Sequence, residues 1–568
     1  MGTLLSEIAG RMRAALAAAG FPNAEPGVSA AADARFGDYQ SNAAMVLAKQ
    51  ARRNPREVAA EILAALDVSD LCEPPSVAGA GFLNFRALPG AIAARVTDLL
   101  SDDRLGVEAA ARPRGIVIDF SAPNVAKPMH VGHIRSTILG DALARVARFL
   151  GHRVVTDNHI GDWGTQFGKV IHGWKHRLDR AALERSPVEE LVRLYKETNA
   201  LSESDPAVLA ACREELVKLQ AGDPENLAIW NECVAHSWRE FDAIYARLGI
   251  RFDERLGESF YNDRLAPLVD RLLASGLAEV SDGAVCIFFR DLPALADKPC
   301  LIRKGDGGFL YATTDLATIE YRVERWNPDA IWYVTGAPQQ LHFQQVFEAA
   351  RRMGHAVELR HIPFGSILGE DRKLMKTRSG ENVGLREVLE EGVTRARAAV
   401  LEKNPEMEAG ERERIAECIG IGAVKYAELS QYRMTDYVFA WDKLLALHGN
   451  TAPYLQNAYV RICSIFRKAE GAAAGAAIDP REEAERKLAL HLLRYGETLP
   501  LVLEDFRPNV LTGYLFELAN AFHAFYEACP VLKAEEPVRG SRLALCDLTA
   551  RVLRHGLELL GIGVPERM

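Results

Sequence analysis

The chain has 568 residues, 48% hydrophobic and 26% charged, the balance of a folded water-facing protein with room for about three or four domains. No apolar run reaches the roughly eighteen residues of a membrane-crossing helix, so no membrane partner is expected. The net charge of −9 excludes a chain basic overall; a nucleic-acid partner would need a local basic patch on an acidic body.

The opening stretch, MGTLLSEIAGRMRAALAAAG, is apolar but interrupted by Glu7, Arg11 and Arg13. That spacing predicts an amphipathic helix rather than an export signal, and a cytoplasmic protein. Residues 1–108 are alanine-rich with short helical patterns, broken at Pro26-Gly27, and predict a small α/β domain. A boundary is expected near 105–112, with a turn at Pro113. Residues 115–120, GIVIDF, then read as a buried strand, and 133–150 as a helix with Ile134, Ile138, Val146 and Leu150 close to one stripe. Gly151 stops it, and residues 153–156 form the next strand. This strand–helix–strand unit predicts a parallel sheet with a right-handed crossover. A second unit starts with a strand at 330–334 and a helix at 340–353, and a long helical insertion at about 170–275 lies between the two. The fold expected for 112–384 is a Rossmann-like α/β domain, with ligands bound beyond the carboxyl ends of its strands. Residues 385–440 read as a helical connection and 441–568 as a helical bundle; GAAAGAA at 471–477 reads as a linker or loop.

The nine cysteines are scattered and form no CxxC pair, which argues against a zinc ribbon or a disulfide framework. They are expected to be reduced and mostly buried, and no tightly bound metal is expected.

The most informative stretch is SAPNVAKPMHVGHIRST, 121–137. It joins the first strand to its helix, where such folds meet phosphates. His130 and His133 flank Gly132. The glycine is expected to let a nucleotide come close to the backbone. Two imidazoles at a helix N-terminus can donate hydrogen bonds to phosphate oxygens. Read as metal ligands, the pair lacks an obvious third partner. Alone, HxGH is a short motif that a surface loop could carry; Asn124, Lys127 and the buried strand before it sharpen the reading.

This stretch resembles the HIGH signature of class I aminoacyl-tRNA synthetases, with Val131 in the isoleucine position, and its longer form is similar to the arginine-specific members. GDWGTQFG at 161–168, TAPYLQNAYVR at 451–461 and GLELLGIGVPERM at 556–568 agree, so the resemblance runs along nearly the whole chain. It implies an arginine–tRNA ligase whose substrates are ATP with Mg2+, L-arginine and tRNA(Arg), working as a monomer. It assigns His130, His133 and Lys127 to catalysis, and Asn124 and Gly132 to ATP. The family's second signature, KMSKS, matches only loosely at 369–380, GEDRKLMKTRSG. Lys373, Lys376 and Arg378 are the candidate triphosphate holders there, with Lys127 replacing a missing lysine; a solvated basic loop is the alternative.

A guanidinium presents donors in a planar fork, so its pocket should offer carboxylates. The resemblance implies Asn158, Glu258, Tyr311, Asp315 and Gln339 as arginine contacts. Residues 309–315 read as a strand running into a helix, with Tyr311 and Asp315 on one face. From sequence alone, Asp315 could equally stabilise a helix start, Tyr311 could be core and Glu258 plain surface. For tRNA, Tyr39 and Asn42 in RFGDYQSN at 35–42 are candidates to meet an unpaired base, and Arg461 is a candidate contact in the C-terminal helices; a packed tyrosine is the rival reading of Tyr39. Tyr514, Leu518, Phe522 and Phe525 form a stripe expected to be core. The resemblance also implies activation that depends on bound tRNA. The rival functions are an amino-acid ligase working without tRNA and a non-catalytic RNA-binding relative. The helical C-terminal third speaks against the first, and the intact histidine loop against the second.

Overall fold

Six consecutive buried residues, Gly115–Phe120, form a central strand (β1), because a strand covered on both faces needs no polar alternation. The computed structural model describes residues 2–369, 371–373, 375, 383–469 and 476–568. Lys376, Arg378 and most of the 471–477 stretch lie outside the described residues. After β1 come a helix, Val131–Phe149 (α1), and a strand, Arg153–Asp157 (β2). Further along are a helix, Tyr311–Trp326 (α2), a strand, Ala330–Gly336 (β3), a helix, Gln340–Arg352 (α3), and a strand, Glu358–Phe364 (β4). The four strands pair in the order β4-β3-β1-β2, all parallel. This is the Rossmann-like sheet expected from the sequence. The order reverses between β1 and β3, which makes their carboxyl ends the switch point where a ligand crevice forms.

Sequence and structure differ in three places. The strand β4 was not anticipated: ELRHIPF carries Arg360 and His361 and lies at the sheet edge, so only Ile362 and Phe364 are buried. Residues 309–310 are no strand; Phe309 makes a single bridge to Arg303 before α2 begins. Between the insertion and α2 lies a three-stranded antiparallel sheet, Glu279–Ser281, Ala284–Ile287 and Cys300–Arg303, whose short strands leave little periodic signal.

The described chain divides into two compact units. The first holds Met1–Ala109, Leu447–Glu558 and Gly563–Met568; the second holds Ala110–Ala446 and Leu559–Ile562. In the second unit the insertion is helical, from Gln166–Arg177 to Pro224–Leu248. Its core of Phe167, Ile171, Trp174, Leu191 and Leu194 also includes Val125 and Ala126. The insertion therefore forms the bed on which the loop after β1 rests.

Behind the sheet, Arg322 on α2 is fully buried and bridges two strands. One guanidinium nitrogen donates to Asp119 of β1 at 2.6 Å and to Asp157 of β2 at 2.8 Å. The two aspartates are register partners, so their like charges need the cation between them. Removing one partner of a buried pair costs about 3–5 kcal/mol. Arg322→Met is expected to lower unfolding stability by about that much, measured by chemical denaturation. A midpoint within error of the parent would contradict this role.

In the first unit, Tyr39–Ser41 and Phe82–Phe85 are the inner strands of a four-stranded antiparallel sheet. The rest is helical, including Ala452–Lys468, Glu483–Leu493 and Pro508–Ala528. Tyr514, Leu518, Phe522 and Phe525 are buried as core. The Tyr39 ring is completely buried. Its hydroxyl donates to Glu497 at 2.9 Å, and the Arg494 guanidinium lies 5.6 Å over the ring. This is the packed-tyrosine arrangement. Asn42 is exposed at the start of helix Ala43–Ala51.

Candidate active site

The loop after β1 turns sharply, with positive φ at Ser121, Ala122 and Ala126. Residues other than glycine rarely hold such angles unless their surroundings impose them. Here they do. Ser136 Oγ accepts from the Ser121 N–H at 2.8 Å and donates to the Val334 carbonyl at 2.6 Å. Ser237 Oγ accepts from the Ala126 N–H at 3.0 Å. The Val125 N–H donates to the Gly161 carbonyl, and the Gly161 N–H to the Pro123 carbonyl, both at 3.0 Å. A Cβ on Gly161 would lie 2.3 Å from Asn124 Oδ1. The first glycine of GDWGTQFG is therefore there to let the signature loop lie against it.

His130 is the N-cap of α1. Its Nδ1 accepts from the Gly132 N–H at 3.1 Å, while His133 Nδ1 accepts from the His130 N–H at 3.1 Å. This reciprocal capping starts the helix at Val131, before the His133 expected from periodicity. It also sets the tautomer: a nitrogen that accepts carries no proton, so each neutral ring holds its hydrogen on Nε2. Burial and the Lys127 charge lower the His130 pKa. Burial and His130 push His133 down to about 3. At neutral pH the loop thus presents two uncharged Nε2–H donors, with ring centroids 4.0 Å apart. Gly132 also has a local role. A Cβ there would lie 2.9 Å from the His130 ring, so glycine makes room for the folded-back imidazole.

Lys127 and Asn124 are exposed beside the loop, with Lys127 Nζ 5.5 Å from the Tyr195 ring centre. A cleft of about 180 Å³ is lined by His130, Gly132, Arg135, Gly336, Ser366 and Met375 among others. It opens beyond the carboxyl ends of β3 and β4, beside the start of α1. The second loop starts from this cleft. Lys373 is exposed, in a turn closed by the Gly369 N–H donating to its carbonyl at 2.8 Å. The loop's exit is tied to the first signature: the Val131 N–H donates to the Val383 carbonyl and the Leu385 N–H to the Met129 carbonyl, both at 2.8 Å.

Carboxylates gather around Glu258. Burial, with Asp162 and Asp315 adding like charge, pushes Glu258 up to about 7, although nearby His159 works in the opposite direction. Asp315 lies one turn into α2, and its Oδ2 is 2.5 Å from His342 Nε2. Burial disfavours a charged His342 ring, but Asp315 outweighs it and raises its pKa. Tyr311, at the start of α2, is 71% exposed, so it is not core. Gln339 is exposed in the short turn Ala337–Gln339 that follows β3. Asn158, expected among the arginine contacts, lies under the signature loop. It is fully buried; its Oδ1 accepts from the Ala122 N–H at 3.2 Å and its Nδ2 donates to Tyr245 Oη at 3.0 Å. Its amide shapes the loop. His342, which orients Asp315, was missed by sequence reasoning; its place in the first turn of a helix beginning next to Gln339 was the available signal.

In the first unit, Arg461 Nη1 is 3.3 Å from His523 Nδ1, and its guanidinium lies 5.4 Å over the Tyr526 ring. Tyr454 Oη donates to Asn520 at 2.7 Å. These side chains form a polar, aromatic group on the C-terminal helices.

Comparison with known proteins places the chain in a family. Residues 95–441 match the family of class I (R) tRNA synthetase catalytic domains, 455–568 the DALR anticodon binding domain and 6–87 the arginyl tRNA synthetase N terminal domain. An arginine–tRNA ligase of a Synechococcus species is 45% identical over 100% of both chains, and one of Thermobifida fusca is 46% identical over 99% of both. The arginyl-tRNA synthetase structure from Plasmodium falciparum superposes with a TM-score of 0.86 at 28% identity, and that from Thermus thermophilus with 0.84 at 26%, each covering 100% of both chains. With the signature loop present and all three domains matched, the chain belongs to the class I arginyl-tRNA synthetase family.

Proposed function

We propose that the protein joins arginine to tRNA(Arg) in two steps, and that the two faces of the switch point divide the work. ATP, entering with Mg2+, lies in the cleft over Gly132, and its phosphates meet the Nε2–H donors of His130 and His133 and the cations of Lys127 and Lys373. Asn124 contributes at the rim of the same site. The guanidinium of arginine enters between Glu258 and Asp315, with Tyr311 and Gln339 beside it. The arginine carboxylate then attacks the α-phosphorus. An O–P bond forms, the bond to the β-phosphate bridge breaks, and pyrophosphate leaves with the electron pair. Uncharged donors suit this step, because they stabilise the charge building on phosphorus and pyrophosphate without trading protons with it. In the second step a ribose hydroxyl at the 3′ end of the tRNA attacks the arginyl carbonyl and AMP leaves. Asn42 and Arg461 are the proposed tRNA contacts. No helix among the described residues is long and apolar enough to cross a membrane; the proposed setting is the cytoplasm, with the chain working as a monomer.

The observation that carries this reading is the capped histidine loop at the start of α1, which holds both Nδ1 atoms as acceptors and so makes the two rings Nε2–H donors. Aminoacylation with labelled arginine tests it directly: acid-precipitable label on tRNA(Arg), dependent on ATP, is expected, and its absence with folded protein would overturn the reading.

The pocket also predicts a pH dependence. Glu258 near pH 7 in the empty site must be ionised to hold a guanidinium, so binding weakens as pH falls through that value. A single group of this pKa raises the arginine KM by about tenfold between roughly pH 8 and pH 6. Steady-state kinetics should show that rise, and Glu258→Gln should flatten it. A parent KM independent of pH across the window would contradict the assignment.

A further inference from the structure

Residues 433–439 follow the long helix Ala409–Leu429 and carry no motif, yet they touch both signature elements. On one side, Arg135, in the first turns of α1, is buried under the histidines. Its Nε donates to Glu428 at 2.5 Å and its Nη1 to the Thr435 carbonyl at 3.1 Å. On the other side, the segment runs along the chain entering the second loop. The Gly365 N–H donates to the Arg433 carbonyl at 2.9 Å, the Tyr437 N–H to the Ser366 carbonyl at 3.2 Å and the Phe439 N–H to the Leu368 carbonyl at 2.9 Å. Tyr437–Val438 pairs in parallel with Ile367–Leu368. The side chain of Asp436 accepts from the Ser366 N–H. The approach is close enough to require glycine: a Cβ on Gly365 would lie 2.7 Å from Asp436 Oδ1 and 2.9 Å from the Met434 carbonyl.

We propose that residues 433–439 are a clamp that fixes the entry of the triphosphate loop at a set distance from the histidine loop, with Asp436 as its positioning residue. The proposal rests on reading the 369–380 stretch as the loop that meets the triphosphate. The exit of that loop is already held by backbone bonds to Met129 and Val131. The clamp holds the entry, so both ends take their register from α1. Gly365, Ser366 and Ile367 line the nucleotide cleft together with His130 and Gly132. A shift of the entry strand therefore moves the donors on one side of ATP relative to those on the other. Asp436 touches no substrate in this reading. It acts by holding Ser366.

Asp436 is exposed, so its replacement leaves the core intact. A misplacement of about 1 Å costs on the order of 10²-fold in such a site. Asp436→Ala is expected to lower kcat/KM for ATP by about 10- to 100-fold in arginine-dependent ATP–pyrophosphate exchange with tRNA(Arg) present. The arginine KM should stay within about twofold, and the melting temperature should match the parent. Asp436→Asn keeps an oxygen that can accept from Ser366 and is expected to restore ATP kinetics. ATP parameters unchanged in Asp436→Ala, or Asp436→Asn as impaired as the alanine variant, would overturn the clamp. Lys373→Ala and His130→Ala are measured alongside. If they lose ATP efficiency while Asp436→Ala does not, the clamp alone fails. If none of the three does, the reading of the loops fails and the clamp with it.

Discussion

Replacing His133 with alanine should lower kcat for arginine-dependent ATP–pyrophosphate exchange by about 10²–10³, the usual cost of deleting one preorganised donor to developing charge. The donor is already in place before ATP arrives: Nδ1 is occupied by the His130 N–H, which leaves the proton on Nε2. With its pKa pushed down to about 3, the ring stays neutral across the working pH range, so its own titration should leave kcat flat from pH 6 upward. Alanine also removes half of the reciprocal cap, a loss of about 1 kcal/mol, so the melting temperature must be followed together with the rate. His133→Gln offers a side-chain N–H and should recover part of kcat. A fully active alanine variant would show that the phosphates are met elsewhere.

The second large effect is expected at Asp315. Asp315→Asn keeps the shape of the side chain and removes one of the two charges facing the guanidinium. Loss of one partner from a desolvated charge pair costs about 2–5 kcal/mol, so kcat/KM for arginine should fall by about 30-fold to more than 10³-fold. Citrulline has no positive charge and should be rejected strongly by the parent, since it leaves the carboxylates unpaired. The same substitution should narrow the gap between arginine and citrulline. His342→Ala should give a milder loss, because His342 holds Asp315 at 2.5 Å without facing the substrate. An Asp315→Asn variant within threefold of the parent for arginine would place the guanidinium elsewhere.

Much of this site was legible in the sequence because its chemistry sits in short, contiguous strings. The strand at Gly115–Phe120 was readable from unbroken apolar composition, and the histidine loop from its position after that strand. The reasons behind individual residues were less legible. Gly132 also makes room for the His130 ring, and only the folded-back imidazole reveals this. Asn158 and Tyr39 carry side chains suited to recognition, but each is completely buried, with its polar atoms used by partners distant in sequence. The strand β4 was hidden because an edge strand with three polar residues, Glu358, Arg360 and His361, shows no clean period. The tie between Arg135 and Glu428 spans 293 residues of chain; no local pattern encodes such a contact, since it exists only once the tertiary fold brings the two helices together.

Arginine-dependent ATP–pyrophosphate exchange, run with and without tRNA(Arg), tests the central claim most directly. Exchange that requires arginine, is not supported by citrulline or lysine, and appears only when tRNA is present is the predicted result. Exchange without tRNA would keep arginine activation and remove the dependence on tRNA. No exchange under either condition, with folded protein and magnesium present, would contradict the claim that this site activates arginine.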